Sequence, residues 1–308
     1  MPSDDTPLAR TSAPMQRLRR LSRRREVRAE AGVLLVDGPV LLGEALDAGL
    51  ELQQVVVEAS ADDGDPSHPI AEARRRGVPV ATVQDGVLAK VLDLVTPQRV
   101  VAVAVRPESS LGDVLADAVD RGRPVVVLVN IQDPGNAGTV VRVAEAAGAA
   151  GVVLCDHSVD PWNPKSVRAA AGSSFRVPVV EAADATDVVQ RCAEAGIRVV
   201  ATAGDGGGSP EATDLGSAFA LLVGNEAHGL SVELVALAST SVSVPMDGRV
   251  ESLNAAVAGA AVLFDAARQR RVASSSETVS EPAHAVGHNV PDVPDRRVPD
   301  AAGRTDAS

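Results

Sequence analysis

Four short segments between residues 124 and 223 are apolar at almost every position. Strands of a parallel sheet have this composition because the helices that connect them cover both faces of the sheet. The chain from residue 124 onward therefore predicts an α/β domain built on a mostly parallel sheet. The predicted strands are 125–129, 151–154, 197–201 and 219–223, and the predicted helices are 138–147, 165–171, 186–195, 232–238 and 253–270.

The segment from Val242 to Arg270 predicts a ligand-binding turn at the end of one more strand. Val242 and Val244 alternate as in a short strand, and Pro245 ends the ladder because proline has no N–H to donate. A polar loop follows, and Ser252 is the expected N-cap of the last helix. Ligands of α/β domains bind at the carboxyl ends of strands, although an ordinary βα connection has the same pattern.

The remaining chain divides by composition. β-Branched segments alternate with helical patterns in residues 29–107, which predicts a second, smaller α/β domain. Residues 108–123 have proline and glycine near both ends and are expected to link it to the larger domain, which spans 124–272. Residues 1–28 are expected to form a basic arm, flexible or partly helical. Residues 273–308 are polar enough to predict a disordered tail.

Charge is distributed unevenly along the 308 residues. The formal net charge of −12 argues against a protein that coats nucleic acids without specificity. Eight arginines nevertheless lie between Arg10 and Arg28, where they could contact phosphate or form a solvated basic surface. Three phenylalanines, one tryptophan and no tyrosine leave few aromatic platforms on which bases could stack.

Several kinds of site are excluded by the sequence. Cys155 and Cys192 stand apart, without the spacing of a disulfide framework or a zinc site. Neither the glycine-rich dinucleotide fingerprint nor the phosphate-binding loop follows a predicted strand. No segment has the character of a signal peptide or a membrane span, so we expect a cytoplasmic protein. We also expect that it needs no metal.

Three polar loops of the larger domain carry candidate functional residues. The first, NIQDPGNAGTVVR, turns at Pro134 directly after a predicted strand and places Asn136 at a helix entry. Asn136 and Arg142 are six residues apart, so they do not share a helix face and converge only if Asn136 lies in the loop. A helix N-cap followed by a surface arginine would give the same pattern.

The second loop, GNEAHGL, begins at Gly224, whose lack of a side chain permits a ligand to approach the backbone closely. Glu226 follows in the turn, whereas His228 is expected to be an ordinary turn residue. The third loop, VPMDGRVESLN, contains Met246 and Asn254. Each loop is ambiguous alone, but their order and spacing are specific.

Together the loops match N-x-x-D-P-x-N-x-G-x-x-x-R, G-x-E-x-x-G-L and V-P-M-x-G-x-x-x-S-L-N. In this order they resemble the three motifs of the SpoU/TrmH-type RNA ribose 2′-O-methyltransferases of the SPOUT superfamily. Residues 160–172 resemble a stretch between the first two motifs of that family, and residues 36–44 resemble the start of its small, ribosomal-protein-like substrate-binding domain. The resemblance of the larger domain covers residues 124–270.

The resemblance implies an α/β-knot domain, in which a trefoil knot threads the second and third loops around S-adenosyl-L-methionine. Such knots are rare exceptions to the rules of protein topology. Gly224, Val244, Met246 and Leu253 would contact this cofactor. The family is also dimeric, which implies a homodimer whose active site takes residues from both subunits.

The implied reaction transfers a methyl group from the sulfonium of the cofactor to a ribose 2′-hydroxyl in RNA. The family offers Arg142 as the base, but a guanidinium is effectively always protonated. We expect Arg142 instead to hold the neighbouring phosphate and to stabilise the developing alkoxide. Glu226 and Asn136 would orient the hydroxyl and Arg142, while Ser252 and Asn254 would complete the polar surroundings.

The expected substrate is ribosomal RNA of the 23S type, because a ribosomal-protein-like domain accompanies many rRNA-modifying members, and transfer RNA is the alternative. Lys165, Arg168, Arg23 and Arg24 are the expected phosphate contacts. Two other classes stay open, an RNA-binding module with an inactive catalytic domain and a nucleotide-dependent dehydrogenase. The intact polar motifs argue against the first, and the absent glycine fingerprint argues against the second.

Overall fold

The computed structural model describes residues 7–279, apart from positions 63, 93–95, 97, 156, 183 and 251 and the side chains of 276–279. Within this part of the chain there are two sheets, one of four strands and one of six. The last helix continues to Val279. Ser274 and Ser275 in it donate to carbonyl oxygens one turn earlier. The helix therefore extends into the predicted disordered tail, whose residues 280–308 lie outside the described residues.

The smaller sheet contains β1 (Val33–Asp37), β2 (Leu52–Glu58), β3 (Val80–Val83) and β4 (Val100–Val105). Its order is β1-β4-β2-β3, with β4 antiparallel to both of its neighbours and β2 parallel to β3. Around it lie α1 (Ala13–Arg23), α2 (Arg25–Ala31), α3 (Pro39–Asp47), α4 (Pro69–Arg75) and α5 (Val87–Val91).

The basic arm expected at residues 1–28 is, from residue 13 onward, a folded part of the smaller domain. Met15, Leu18 and Leu21 lie on one face of α1 and are almost completely buried. They belong to one hydrophobic cluster with Leu88 and Val91 of α5 and with residues of the smaller sheet. Apolar residues three positions apart make α1 amphipathic, and burial of its apolar face fixes the helix. The many arginines of this segment indicated an exposed arm, although its apolar residues form part of the core.

The larger sheet contains β5 (Val125–Val129), β6 (Gly151–Cys155), β7 (Val179–Glu181), β8 (Arg198–Thr202), β9 (Phe219–Val223) and β10 (Thr240–Val242). Its order is β10-β8-β9-β5-β6-β7, and every neighbouring pair is parallel. The strands β5, β6 and β9 are buried at every position, as their apolar composition requires. The predicted parallel sheet is confirmed, with the three-residue β7 as an addition.

The helices of this domain are α6 (Leu111–Arg121), α7 (Pro134–Ala146), α8 (Pro164–Ala170), α9 (Ala185–Glu194), α10 (Val232–Leu237) and α11 (Ala255–Val279). Most of the predicted linker at 108–123 is α6. Leu111, Val114, Leu115 and Ala118 recur at helical spacing and share a buried cluster with Val125 of β5. This segment therefore covers one face of the larger sheet, so most of the predicted linker is a helix of the larger domain.

The two domains share a hydrophobic core and several ion pairs. Leu34 and Val36 of β1 belong to the same buried cluster as Val126 and Leu128 of β5. Packed apolar side chains thus continue from one sheet to the other. The ion pairs that join the domains are Arg28–Asp160, Arg25–Glu181, Arg106–Glu181, Arg168–Asp37 and Arg176–Glu44.

The close packing of α7 against α8 depends on Gly138. A Cβ atom at this position would overlap the carbonyl oxygen of Ser166 and the methyl group of Ala169. Glycine removes this clash and lets the two helix backbones approach each other. Because α7 also carries Asn136 and Arg142, this contact fixes the first polar loop relative to the rest of the larger domain.

Candidate active site

A cavity of about 360 Å³ lies at the carboxyl ends of β8, β9 and β10. Thr202, Val223 and Val242, the last residues of these strands, all line it. Ligands bind at this edge of α/β sheets, and a volume of a few hundred cubic ångströms is typical of small-molecule sites. Most of the remaining lining consists of apolar side chains and glycines from the loops that follow these strands.

The four residues predicted to contact a cofactor lie together in this cavity. Gly224, Val244, Met246 and Leu253 all line it, although they come from two separate loops. Glu226, predicted as a polar member of the site, lines the same cavity. Apolar walls with a few polar groups suit a ligand that has an apolar body and specific polar ends.

Glycine is required at position 224 because another part of the chain approaches it closely, whereas the sequence predicted that a ligand does so. A Cβ atom on it would overlap the backbone of Gly229 and the nitrogen of Leu230. The second polar loop is a tight turn, in which Asn225 and Gly229 exchange backbone hydrogen bonds of 3.2 and 2.8 Å. Glycine at position 224 therefore allows the loop to close on itself, and its place in the cavity wall follows from that closure.

Three hydrogen-bonded side chains join the three polar loops beside the cavity. Oδ1 of Asn254 accepts the backbone N–H groups of Ala256 and Val257 at 2.9 and 3.3 Å. Nδ2 of Asn254 therefore faces the other way and donates to Oδ1 of Asn136 at 2.9 Å. Nδ2 of Asn136 in turn donates to Oε1 of Glu226 at 2.6 Å. The backbone N–H groups at the start of α11 thus fix the orientation of the Asn254 amide. That orientation sets the donor and the acceptor of each bond in this Asn254–Asn136–Glu226 network.

The N-caps of α7 and α11 differ from those predicted. Asp133 caps α7 by accepting the backbone N–H of Asn136 at 2.8 Å, so Asn136 lies in the first turn and its side chain joins the network. Asn254 caps α11, whereas Ser252, the predicted cap, lines the cavity. Serine, aspartate and asparagine have similar capping preferences, so the choice among neighbours depends on where each helix begins.

Arg142 is separate from the network. It lies on α7 six residues after Asn136, which corresponds to about 9 Å along the helix axis. The Arg142 side chain is exposed and makes no hydrogen bond or ion pair with the residues that the structure describes. Within a single subunit, hydrogen bonds therefore join Asn136, Glu226 and Asn254, whereas Arg142 lies at the surface.

Comparison with known proteins identifies the family. The model of the SpoU rRNA Methylase family matches residues 123–264, and that of an MRM3-like substrate binding domain matches residues 13–102. The 23S rRNA (guanosine(2553)-2′-O)-methyltransferase RlmP of Bacillus subtilis is 32% identical over 77% of this chain and 89% of its own length. This chain belongs to the SpoU rRNA methylase family. The resemblance found in the three motifs is confirmed.

Solved structures of SpoU-type proteins have the same architecture. An AdoMet-bound rRNA methyltransferase from Sinorhizobium meliloti is 32% identical, with a TM-score of 0.72 over 84% of this chain and 96% of its own. The SpoU methyltransferase AviRb from Streptomyces viridochromogenes, in complex with AdoMet, is 30% identical, with a TM-score of 0.73 over 84% and 98%. A substrate-binding domain followed by a parallel α/β methyltransferase domain is therefore confirmed.

The residues predicted to contact RNA have unequal environments in this SpoU family member. Lys165 is exposed in the first turn of α8, and Arg23 and Arg24 are exposed at the end of α1. Arg168 instead forms an ion pair with the buried carboxylate of Asp37. A buried carboxylate needs a cationic partner, so Arg168 helps to join the two domains. Its contact with phosphate stays a prediction.

Asn225 is a structural member of this SpoU site that the sequence prediction did not select. Its Nδ2 donates to the backbone carbonyl of Asn130 at 2.9 Å, which joins the first polar loop to the second. Its Oδ1 accepts the backbone N–H groups of Ala227 and His228 at 2.9 and 3.1 Å. An asparagine directly after Gly224 is the available signal, because asparagine side chains often bond the backbone of their own turn.

Other chemistry is limited in the described part of this SpoU chain. No group of three or more histidine, cysteine, aspartate or glutamate side chains there is arranged to hold a metal ion. No helix among those residues is long and apolar enough to cross a membrane. Burial raises the pKa of the Cys192 thiol to about 11, so this thiol stays protonated at neutral pH and is a poor nucleophile.

Proposed function

We propose that the chain transfers a methyl group from S-adenosylmethionine to a ribose 2′-hydroxyl of 23S-type ribosomal RNA. The observation that carries this proposal is the Asn254–Asn136–Glu226 network beside the cavity at the ends of β8, β9 and β10. Two similar proteins support the substrate. RlmP is a 23S rRNA 2′-O-methyltransferase, and so is a 23S rRNA (uridine(2479)-2′-O)-methyltransferase of Streptomyces viridochromogenes, which is 31% identical over 86% of this chain.

The chemistry of the cavity walls fits S-adenosylmethionine. Val223, Val244 and Leu253 would surround the adenine ring and the methylene groups, while Thr202 and Glu226 offer partners for polar groups. When bound, the cofactor supplies a methyl group on a positively charged sulfur. The apolar walls exclude water from that group, and the carboxylate of Glu226 lines the same cavity.

Glu226 is proposed to orient the hydroxyl that receives the methyl group. Its Oε1 accepts from Asn136, and the remaining lone pairs of the carboxylate can accept a hydrogen bond from the ribose 2′-hydroxyl. That bond would align the oxygen, and the carboxylate would accept the hydroxyl proton as the C–O bond forms and the methyl–sulfur bond breaks, which leaves S-adenosylhomocysteine. The carboxylate keeps a fixed direction because Asn254 fixes Asn136.

Arg142 is proposed to act in a homodimer. The α11 helix packs against α7 and exposes Val257 and Phe264, two apolar side chains seven residues apart on one face. Exposed apolar patches of this kind mark association surfaces. A homodimer through this face would give Arg142 a place in a site shared between subunits, where it holds an RNA phosphate and stabilises the developing alkoxide. The knot implied by the family and a cytoplasmic location belong to the same proposal.

The first test is methyl transfer from radiolabelled S-adenosylmethionine to total RNA from a strain that lacks the gene, followed by separation of the RNA by size. Label in 23S rRNA is the expected result. Label in transfer RNA would retain the chemistry and overturn the substrate. Protein that binds the cofactor yet labels neither fraction nor isolated ribosomal particles would overturn the proposed enzyme.

Replacement of Arg142 by alanine should abolish methyl transfer and leave cofactor binding nearly intact. Loss of a group that stabilises developing negative charge lowers rates by about 10²–10³-fold. Initial rates on 23S rRNA and calorimetric titration with S-adenosylmethionine separate the two effects. Arg191→Ala changes an exposed arginine of α9 and is the matched control. Equal loss of rate and binding in Arg142→Ala, or a substantially active variant, would contradict the role of Arg142.

A further inference from the structure

A groove with a volume of about 510 Å³ lies on the smaller domain between α1 and α5. Arg19 and Arg20 of α1 line it, together with Arg10 from the turn before α1 and Lys90 of α5. Met15 forms part of the lining and is itself completely buried. Arg19, Arg20 and Lys90 therefore stand on helices that are anchored in the hydrophobic core beneath them, which gives the groove a fixed shape.

The cations of this groove have no carboxylate partner in the described part of the chain. Arg10, Arg19, Arg20 and Lys90 are exposed, and none of them forms an ion pair with a described residue. The α1 helix contains four arginines and no acidic residue. In a protein with a net charge of −12, a basic groove that no described carboxylate neutralises is a local exception that attracts a polyanion.

The composition of the smaller domain decides which features of a nucleic acid such a groove can contact. The four aromatic residues of the chain are Trp162, Phe175, Phe219 and Phe264, and all of them follow this domain. Single strands are usually held by stacking of their bases on aromatic side chains. The groove has no aromatic side chain, so it is suited to the sugar–phosphate backbone, and a backbone with regular spacing is that of a duplex.

We propose that the groove between α1 and α5 binds the backbone of helical RNA that flanks the methylated nucleotide. This inference rests on the proposed function, because it extends the contact with the same RNA substrate. The sequence predicts phosphate contacts along the whole basic segment up to Arg28, and the structure narrows this segment to Arg10, Arg19 and Arg20 and adds Lys90 of α5. Contacts to the backbone fix the position of the protein on the RNA, and they do not depend on base sequence.

The test measures binding of a fluorescent RNA duplex of about 20 base pairs, and of one of its strands, across a range of salt concentrations. The groove variant Arg19→Gln/Lys90→Gln removes one cation from each wall. The control variant Arg121→Gln/Arg191→Gln removes two exposed arginines from α6 and α9 and changes the net charge equally. Glutamine is a good helix former, and unchanged binding of S-adenosylmethionine confirms that each variant is folded.

The groove variant should bind the duplex about tenfold more weakly at low salt, and the slope of log affinity against log salt should become shallower by about 2. The control variant should match the wild type, and the wild type should bind the duplex more tightly than the single strand. An unchanged slope in the groove variant, equal weakening in the control, or equal affinity for the single strand would overturn the proposal.

The binding assay involves no methyl transfer, so the groove and the enzyme can fail separately. Absence of label in 23S rRNA with a groove-dependent duplex affinity would reject the proposed reaction and retain the groove. Label in 23S rRNA with a duplex affinity that does not depend on Arg19 and Lys90 would retain the reaction and reject the groove.

Discussion

Arginines from one short basic segment have two opposite environments. Arg28 is only 3% exposed, forms an ion pair with Asp160 of the larger domain and donates to the carbonyl oxygen of Leu21 at 2.6 Å. Arg19 and Arg20 are exposed in the groove between α1 and α5, and they meet no described carboxylate.

The difference between these environments teaches that charge in a sequence does not define a role. A buried guanidinium must have a partner, because removal of a charge from water is costly. Such a pair fixes how two surfaces dock, which suits the contact between the domains at Arg28. An exposed guanidinium keeps its hydration and its long-range electrostatic field, and it is free to form an ion pair with a ligand. Burial separates the two uses.

The largest expected effect follows from removal of the buried arginine, Arg28. Arg28→Ala would leave the carboxylate of Asp160, 7% exposed, without its ion-pair partner. Loss of one partner from a buried pair costs about 3–5 kcal/mol. Urea unfolding should therefore show a large decrease in the free energy of unfolding. Arg19→Ala is the control from the same segment and should stay within about 0.5 kcal/mol of the wild type.

A decrease of less than about 1 kcal/mol for Arg28→Ala would show that solvent reaches Asp160. The buried and exposed arginines would then be energetically alike, and the comparison would fail.

A smaller effect is expected at Arg168, where the ion pair with Asp37 and the predicted phosphate contact give different outcomes. Asp37 loses its cationic partner in Arg168→Ala but keeps the backbone N–H of Gln98 at 3.1 Å. A hydrogen bond to a charged group contributes about 1.5–3 kcal/mol, and we expect a loss of that size in thermal unfolding. Affinity for RNA should stay unchanged below the unfolding transition. Lys165→Ala, on the same helix and exposed, should leave stability unchanged.

The predicted role of Arg168 in phosphate binding would be supported by the opposite result. In that case Arg168→Ala would weaken RNA binding about tenfold while its unfolding temperature matched that of Lys165→Ala.

The parts of the fold that follow local rules were predictable. The strands β5 and β9 coincide with their predicted segments because an uninterrupted apolar run of five residues is a local property. The helix α6 was equally readable, since its buried residues recur at positions i, i+3, i+4 and i+7. Proline and glycine near both ends of the segment indicate a linker instead, and they do not exclude a helix between them. Charge concealed α1 in the same way.

The candidate site was predictable only through the resemblance. Asn136 lies 90 residues from Glu226 and 118 residues from Asn254 in the sequence, and no period of the chain indicates that they are hydrogen bonded. The pair of Arg168 and Asp37 is separated by 131 residues and has no motif of its own. Contacts of this kind depend on how the two sheets meet, which local propensities do not specify.

The smallest expected effect concerns Arg176, an exposed arginine that forms one ion pair within the larger domain and one with the smaller domain. Arg176 joins Glu145 of α7 to Glu44 of α3, and its hydrogen bonds lower the pKa of Glu145 below the ordinary value of 4.5. A carboxylate with a lowered pKa stabilises the fold above its unfolded pKa, and this contribution disappears as the pH falls through the lowered value.

Arg176→Gln should therefore be less stable than the wild type by at most about 1 kcal/mol near neutral pH, because solvent screens a pair that is about one-third exposed. The difference in the free energy of unfolding should shrink as the pH falls below 4.5, where Glu145 becomes protonated. Arg198→Gln, which removes the partner of the exposed Asp214, is the control and should show a smaller difference. A difference for Arg176→Gln that stays constant from neutral pH to about pH 3 would mean that packing, and not charge, holds Arg176 at the contact between the domains.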